Sequence, residues 1–422
     1  MARFLLTTLG SLGDLHPYIA VALGLCERGH HATIATSEIY RAKVEGEGLG
    51  FHAMRPDVGF VLDDPEVMRQ AVHPRTGTEY VIRRLFMPAV EASFEDTLEA
   101  AREADVLVGH PIAFATPTVA EVLKKPWVSV ALQPSIFLSG YDPPVVSGVP
   151  ALERFQNAGP WFWGPILRVV RRTVRQWGAP VNALRKKLGL REFGNPVFND
   201  MFSPYGTQAW FSRVLASPQK DWPGRTEITG FPFYDKLEPG KGLDTDLERF
   251  LTAGPPPVVF TLGSSAALHA GSFYEESVKA ALETGCRAVL LTGRDPRNQP
   301  KEKLPETIAA AEYAPFSELM GRAAATVHQG GVGTTAQALR AGRPMIVVPW
   351  SHDQPDNGRR VARLGAGLVV RRGEYRAARV ARTLRQILSN PLYTQAATRA
   401  KTEMAREDGV AAACRGLETL LR

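Results

Sequence analysis

The stretch His328–Asn357, HQGGVGTTAQALRAGRPMIVVPWSHDQPDN, constrains the fold more than any other part of the chain. A short apolar run, Ala323–Val327, ends at His328. Gln329-Gly330-Gly331-Val332-Gly333 reads as a turn, because glycine takes backbone conformations that other residues resist. Thr334–Arg340 then reads as a helix, closed by Gly342 and Pro344. Met345–Val348 is a second apolar run, and the polar loop Ser351-His352-Asp353-Gln354 follows it. A glycine turn that feeds a helix N-terminus suits an anion, since unpaired N–H groups and the helix dipole both point at it. The turn is expected to hold a phosphate or diphosphate, and Asp353 and Gln354 to hold what hangs from it.

A second reading fits the same residues. Gly331-x-Gly333-x-x-Ala336 matches the dinucleotide-binding pattern, and Asp353 stands near the spacing of its ribose-binding acid. Two features count against a nicotinamide enzyme. That pattern usually opens its domain, whereas several strand–helix units precede this one. The turn is also led by a histidine and followed by an acid–amide pair, which the pattern does not need.

At 422 residues the chain is too long for one ordinary core. Its start repeats the same logic: strand Arg3–Thr8, tight turn GSLGD, helix Leu15–Arg28 stopping at Gly29, and strand His31–Thr36. Such units imply a parallel sheet with right-handed crossovers. Further buried strands are expected at Val106–Val108 and Val128–Leu132. Residues 51–94, rich in Pro, Asp, Arg and Met, read as irregular loops of the functional kind. Ser217–Gly242 is rich in Pro, Gly and charge and reads as a linker. Beyond it come strand Val258–Leu262, a second phosphate-compatible turn at Gly263-Ser264-Ser265, strand Ala288–Leu291 and the run Ile308–Glu312. A helical tail, Tyr375–Arg422, breaks near Pro391 and Gly409. The expected organisation is a domain at 1–216 that takes the larger, less charged substrate, a linker at 217–242, a domain at 243–400 that takes the phosphorylated one, and a last helix at 401–422 that packs back on the first domain. Both domains are of the Rossmann-like parallel-sheet kind. Open α/β sheets bind ligands at the carboxyl ends of their strands, so two such edges facing across a cleft would hold two substrates.

The net charge of +7 suits polyanionic ligands and decides little alone. Cys26, Cys286 and Cys414 are far apart and fit no zinc spacing, so reduced thiols and a cytoplasmic chain are expected. No apolar run approaches the ~20 residues of a membrane span. From Trp161 to Leu190, basic and apolar residues interleave at helical spacing. This reads as an amphipathic helix with a solvated basic face, or as one lying on the inner face of a membrane or over a greasy substrate.

These residues resemble a known family. HQGGVGTTAQALRAGRPMIVVPWSHDQPDN is similar to the donor signature of family 1 nucleotide-sugar glycosyltransferases of the GT-B fold, and GSLGDLHPYIAVALGLCERGHHATIAT to their N-terminal motif. APVNALRKKLGL, ITGFPFYD, VVFTLGSS and EYAPFSELM resemble the rhamnosyltransferases of rhamnolipid synthesis, beside the sterol and antibiotic members. The resemblance implies that His328 contacts the diphosphate. Gly331, Gly333 and Thr334 would place donors on it, with Ser264 opposite and Asn357 nearby. Tyr313 would lie under the base, and Asp353 and Gln354 on the sugar hydroxyls.

The resemblance further implies an inverting, metal-independent transfer of a hexosyl group from a UDP- or dTDP-sugar to a hydroxyl of a small hydrophobic acceptor, with no cofactor beyond the donor and no nucleic-acid partner. Such enzymes use a base on the acceptor. Many members carry Gly-His-x-x-Pro at the first turn; here it is Gly13-Asp14-Leu15-His16-Pro17, with Asp14 in the histidine's place. Burial beside an apolar acceptor would raise its pKa from ~3.9 toward a useful range. A capping role for Asp14 on the following helix is the plain alternative. His110, at the end of DVLVGH, is expected within hydrogen-bond reach of Asp14 and shares the proton task, while His16 is a third candidate. A nucleotide-sugar epimerase or hydrolase, or a non-catalytic sugar-nucleotide binder on the same fold, would use the same donor residues.

Overall fold

The computed structural model describes residues 1–59, 61, 64–145, 149–235 and 242–421, excluding the side chains of residues 65, 150, 264, 265 and 268. Part of the expected linker, 236–241, and residues 60, 62 and 63 of the expected irregular stretch lie outside the described residues. The chain divides into two compact units, Met1–Tyr234 with Glu407–Arg422, and Asp235–Arg406.

The first unit holds a seven-stranded, wholly parallel sheet. Its strands are β1 (Arg3–Thr7), β2 (His31–Thr36), β3 (Gly50–Ala53), β4 (Val106–Gly109), β5 (Trp127–Ala131), β6 (Thr207–Ala209) and β7 (Thr226–Ile228), in the order β3-β2-β1-β4-β5-β6-β7. Buried along their whole length, β4 and, apart from Ser129, β5 read as apolar runs rather than alternating ones, as helices on both faces require. The strand order reverses between β1 and β4, and at such a switch point the loops diverge and leave a crevice. The second unit repeats the plan with β8 (Val258–Thr261), β9 (Ala288–Leu291), β10 (Ile308–Ala311), β11 (Ala325–His328), β12 (Met345–Val347) and β13 (Gly367–Val369), ordered β10-β9-β8-β11-β12-β13 and again parallel. Its switch point lies between β8 and β11.

Several expectations are corrected. The first helix is Leu12–Glu27, three residues earlier than its apolar spacing suggests, because Ser11 caps it. The stretch read as irregular is largely helical where described, with Pro65–Ala71, Gly77–Tyr80 and Val90–Ala101, and β3 at its start. The linker reading fails over Thr226–Ile228, which completes the first sheet as β7. β6, β7 and β13 have three residues each, too few to display a period. The single helix expected over Trp161–Leu190 is two, Pro160–Arg175 and Ala179–Lys187, separated by a 3-10 turn at Gln176–Gly178. Gly178 is needed there because a Cβ would come within 2.8 Å of the Pro196 ring.

The tail forms helices Ala377–Ser389, Pro391–Met404 and Gly409–Glu418. The last belongs to the first unit. It lies against helix Leu12–Glu27, where Gly24 makes room for Val410 and Cys414, and its Ala413 carbonyl accepts from the Gln208 amide at 3.0 Å.

Candidate active site

In the first unit the chemistry gathers where β1 and β4 end. After β1 the backbone turns through Gly10 at φ +117°, a conformation suited to glycine. A Cβ there would also collide with the Asp14 carboxylate. Ser11 then caps the helix, and Asp14 at the third helical position returns the bond. The Ser11 backbone N–H and hydroxyl both donate to Asp14 Oδ2, at 2.8 and 3.1 Å. Asp14 is therefore part of the cap from inside the helix, not the N-cap residue itself.

His110 follows β4, and its N–H donates to Thr7 O at 2.9 Å, which fixes it beside the end of β1. Its Nδ1 accepts the Ile112 N–H at 3.3 Å, which leaves Nε2–H as the ring's donor. Nε2 lies 3.4 Å from Asp14 Oδ1. The two residues expected to share a proton are thus side by side, with His110 buried and the Asp14 side chain 33% exposed. The expected rise in the Asp14 pKa is corrected. Burial pushes it up, but His110 and the Ser11 donors outweigh burial and hold the carboxyl below its ordinary value. Tyr18 lies beneath, its ring centroid 5.8 Å from that of His110, and burial together with the Asp14 charge keeps its phenol neutral.

His16 is not brought to this pair. Its ring leans on Tyr234 at 5.0 Å, and burial, helped by the charge of Lys43, lowers its pKa to about 4. Ser11 was missed from sequence, although Ser-x-x-Asp at a helix start is a readable capping signal. Tyr234, so distant along the chain, offers no such signal.

In the second unit most of the expected donor residues lie at the ends of β11 and β12, with Ser264 after β8 and Tyr313 after β10. Gly331 is the N-cap of helix Val332–Ala341 and offers no capping side chain, so backbone N–H groups of the first turn are left for a ligand. Gly333 and Thr334 lie in that turn. Gly330, at φ +86°, approaches so closely that a Cβ would stand 2.5 Å from Val347 Cγ1 and 3.2 Å from Gln354 O. His328 is fully buried: Nδ1 accepts the Gly330 N–H at 3.0 Å, and Nε2 meets Met345 Sδ at 3.3 Å. Burial lowers its pKa to about 3, so the ring is neutral at pH 7. The ring, by accepting the Gly330 N–H, sets the turn.

Asn357 is fully buried and joins the two loops. Its Nδ2 donates to Gly330 O at 2.9 Å and to Asp353 Oδ2 at 2.6 Å. Gln354 Oε1 accepts the N–H groups of Trp350 and Ser351 at 2.8 and 3.1 Å, which commits that oxygen to holding the loop. Ser264 stands in the short helix Gly263–Ala266 after β8, and its side chain lies outside the described residues. Tyr313 follows β10 and is 65% exposed, as a stacking platform needs to be. Gln329 was read only as part of the turn. Its buried carboxamide fills the space beside Gly263 and Gly331, and its Nε2 lies 3.5 Å from Thr334 Oγ1.

Comparisons with known proteins agree with this layout. Residues 4–129 match the glycosyltransferase family 28 N-terminal domain, and residues 287–418 match the erythromycin biosynthesis protein CIII-like C-terminal domain. The chain is 32% identical to O-mycaminosyltylonolide 6-deoxyallosyltransferase of Streptomyces fradiae, covering 98% of this chain and 96% of that one. It is 27% identical to a sterol 3-beta-glucosyltransferase of Komagataella phaffii over 98% of this chain, and spans 34% of that longer protein. Among solved structures, glycosyltransferase VinC in complex with dTDP superposes with a TM-score of 0.69 at 19% identity, over the full length of both chains (100% each).

Proposed function

The chain belongs to the nucleotide-sugar glycosyltransferases of the antibiotic and sterol type, with the GT-B fold, and on that premise we propose that it moves a hexosyl group, with inversion and without a metal, from a UDP- or dTDP-sugar to a hydroxyl of a small hydrophobic acceptor. The Asp14–His110 pair at the switch point of the first sheet carries this reading. Asp14 Oδ1 takes the proton of the acceptor hydroxyl as its oxygen attacks C1 of the sugar. The bond from C1 to the diphosphate breaks, and the nucleoside diphosphate leaves with the electron pair.

A carboxylate of lowered pKa is a weak base at equilibrium, so proton transfer runs together with attack rather than ahead of it. His110 points its Nε2 proton at Asp14 and acts as a positioning residue. Charge growing on the leaving diphosphate meets the N–H groups at the start of helix Val332–Ala341 and the Thr334 hydroxyl, which are fixed before reaction. Asp353 and Gln354 lie beside that turn, where sugar hydroxyls would hang, and Tyr313 offers its face to the base. The relative named for 6-deoxyallosyl transfer and the solved relative holding dTDP favour a dTDP-deoxysugar.

The test pairs a panel of UDP- and dTDP-sugars, read by the shift in melting temperature, with transfer to polyketide, sterol and hydroxyacyl-lipid alcohols. Expected are inverted product, unchanged rates in EDTA, and a loss of about 1,000-fold in kcat for Asp14→Asn with donor-induced stabilisation intact. Near-normal turnover of Asp14→Asn would remove it as base. Turnover of the donor without any acceptor would point to an epimerase or hydrolase instead.

A further inference from the structure

Helix Pro160–Arg175 buries one side and leaves the other bare. Trp163, Leu167 and Val174 face inward at 0%, 2% and 6% exposure. The outward side carries Trp161, Pro165, Arg168, Arg172 and Arg175, whose spacing keeps them within roughly 40° either side of one line down the helix. Trp161 is 78% exposed, Val169 beside this line is 65% exposed, and Phe155 on the preceding turn 48%. Arg168, Arg172 and Arg175 have no ion-pair partner among the described residues. Arg172 and Arg175 continue into an open groove that they line with Asn182 and Lys186, with Glu192 the acid among its lining residues.

In water this face is unfavourable on two counts. Arginines three and four residues apart repel along a helix, and a bare indole beside valine and phenylalanine exposes apolar surface. An anionic lipid surface relieves both: headgroup phosphates neutralise the arginines, while the tryptophan settles at the level between headgroups and chains. A nucleic acid would pair the arginines and leave Trp161 and Val169 in water. We propose that this face docks the chain on an anionic membrane. Docking is peripheral, since no described helix is long and apolar enough to cross a bilayer.

The full-length chain is sedimented with phosphatidylcholine vesicles, with and without phosphatidylglycerol, at low and high salt. Binding is expected only with phosphatidylglycerol, and salt weakens it. The R168Q/R172Q/R175Q variant should bind about 100-fold more weakly, at roughly 1 kcal/mol for each charge. The matching triple lysine variant should keep most of the binding, and Trp161→Ala should lose several-fold at any salt. These side chains are exposed, and circular dichroism checks that each variant is folded. No binding to phosphatidylglycerol vesicles at low salt, equal binding by the triple glutamine variant, or tighter binding to an RNA oligonucleotide than to vesicles would each overturn the proposal. No sugar donor enters the assay, so its outcome is independent of the catalytic reading.

Discussion

Two histidines with opposite surroundings do different work. His110 donates toward Asp14, and that contact, with the Ser11 donors, lowers the carboxyl's pKa against the upward push of burial. The base must be ionised to act, so the acid limb of kcat/KM should lie below the ordinary carboxylate range of ~3.9. His110→Ala removes a lowering influence and leaves burial in place. The acid limb should then move to higher pH, with a smaller loss at the pH optimum than Asp14→Asn causes; a pH–rate profile that keeps its acid limb in place would remove the positioning role. His328 titrates through burial alone, and its folded pKa of about 3 stands below the unfolded value of ~6.5. The unfolded chain thus binds the extra proton first, and stability is lost as pH falls below about 6.5. Urea unfolding of the second unit should show about 2 kcal/mol lost between pH 7 and pH 5 that His328→Gln does not lose.

At the scale of elements, the proposed donor site is a pair of loops held by one amide. Asn357 bonds the carbonyl of Gly330 after β11 and the carboxylate of Asp353 after β12. Asn357→Ala leaves both acceptors without this donor. A cost of about 2 kcal/mol is expected, together with a donor KM raised roughly 10-fold and an acceptor KM unchanged. An equal rise in both KM values would instead indicate general loosening. This staple also marks where sequence reading stops. The glycine turn, its flanking strands and the helix after it were legible because apolar runs, Gly342 and Pro344 punctuate them locally. So were Asp14 and His110, as reactive types at the ends of buried strands. The bonds that orient them were not, since a neutral amide such as Asn357 or Gln329 looks the same whether it binds ligand or backbone. Strands of three residues such as β6, β7 and β13 are ordered by their neighbours and carry no period of their own.

At the scale of the whole molecule, the chain returns at its end to the unit where it began. Helix Gly409–Glu418 lies on helix Leu12–Glu27, Glu418 pairs with Arg28 at 2.6 Å and with His30 at 3.2 Å, and Gly409 sits so close to Phe231 that no Cβ fits. The pairs with Arg28 and His30 are partly exposed and contribute little. The close contact of Gly24 with Val410 and Cys414 contributes more, because both helices are apolar there. Ending the chain after Arg406 would uncover the side of helix Leu12–Glu27 that these residues cover. That helix also carries Asp14, so the loss should appear as catalysis as well as stability. Hydrogen exchange of the truncated chain should show faster exchange over Leu12–Glu27, β1 and β6, with β8 and β11 unchanged. Donor-induced stabilisation should survive while transfer falls. Truncation that loosened β8 and β11 equally would mean that the last helix supports the second unit too.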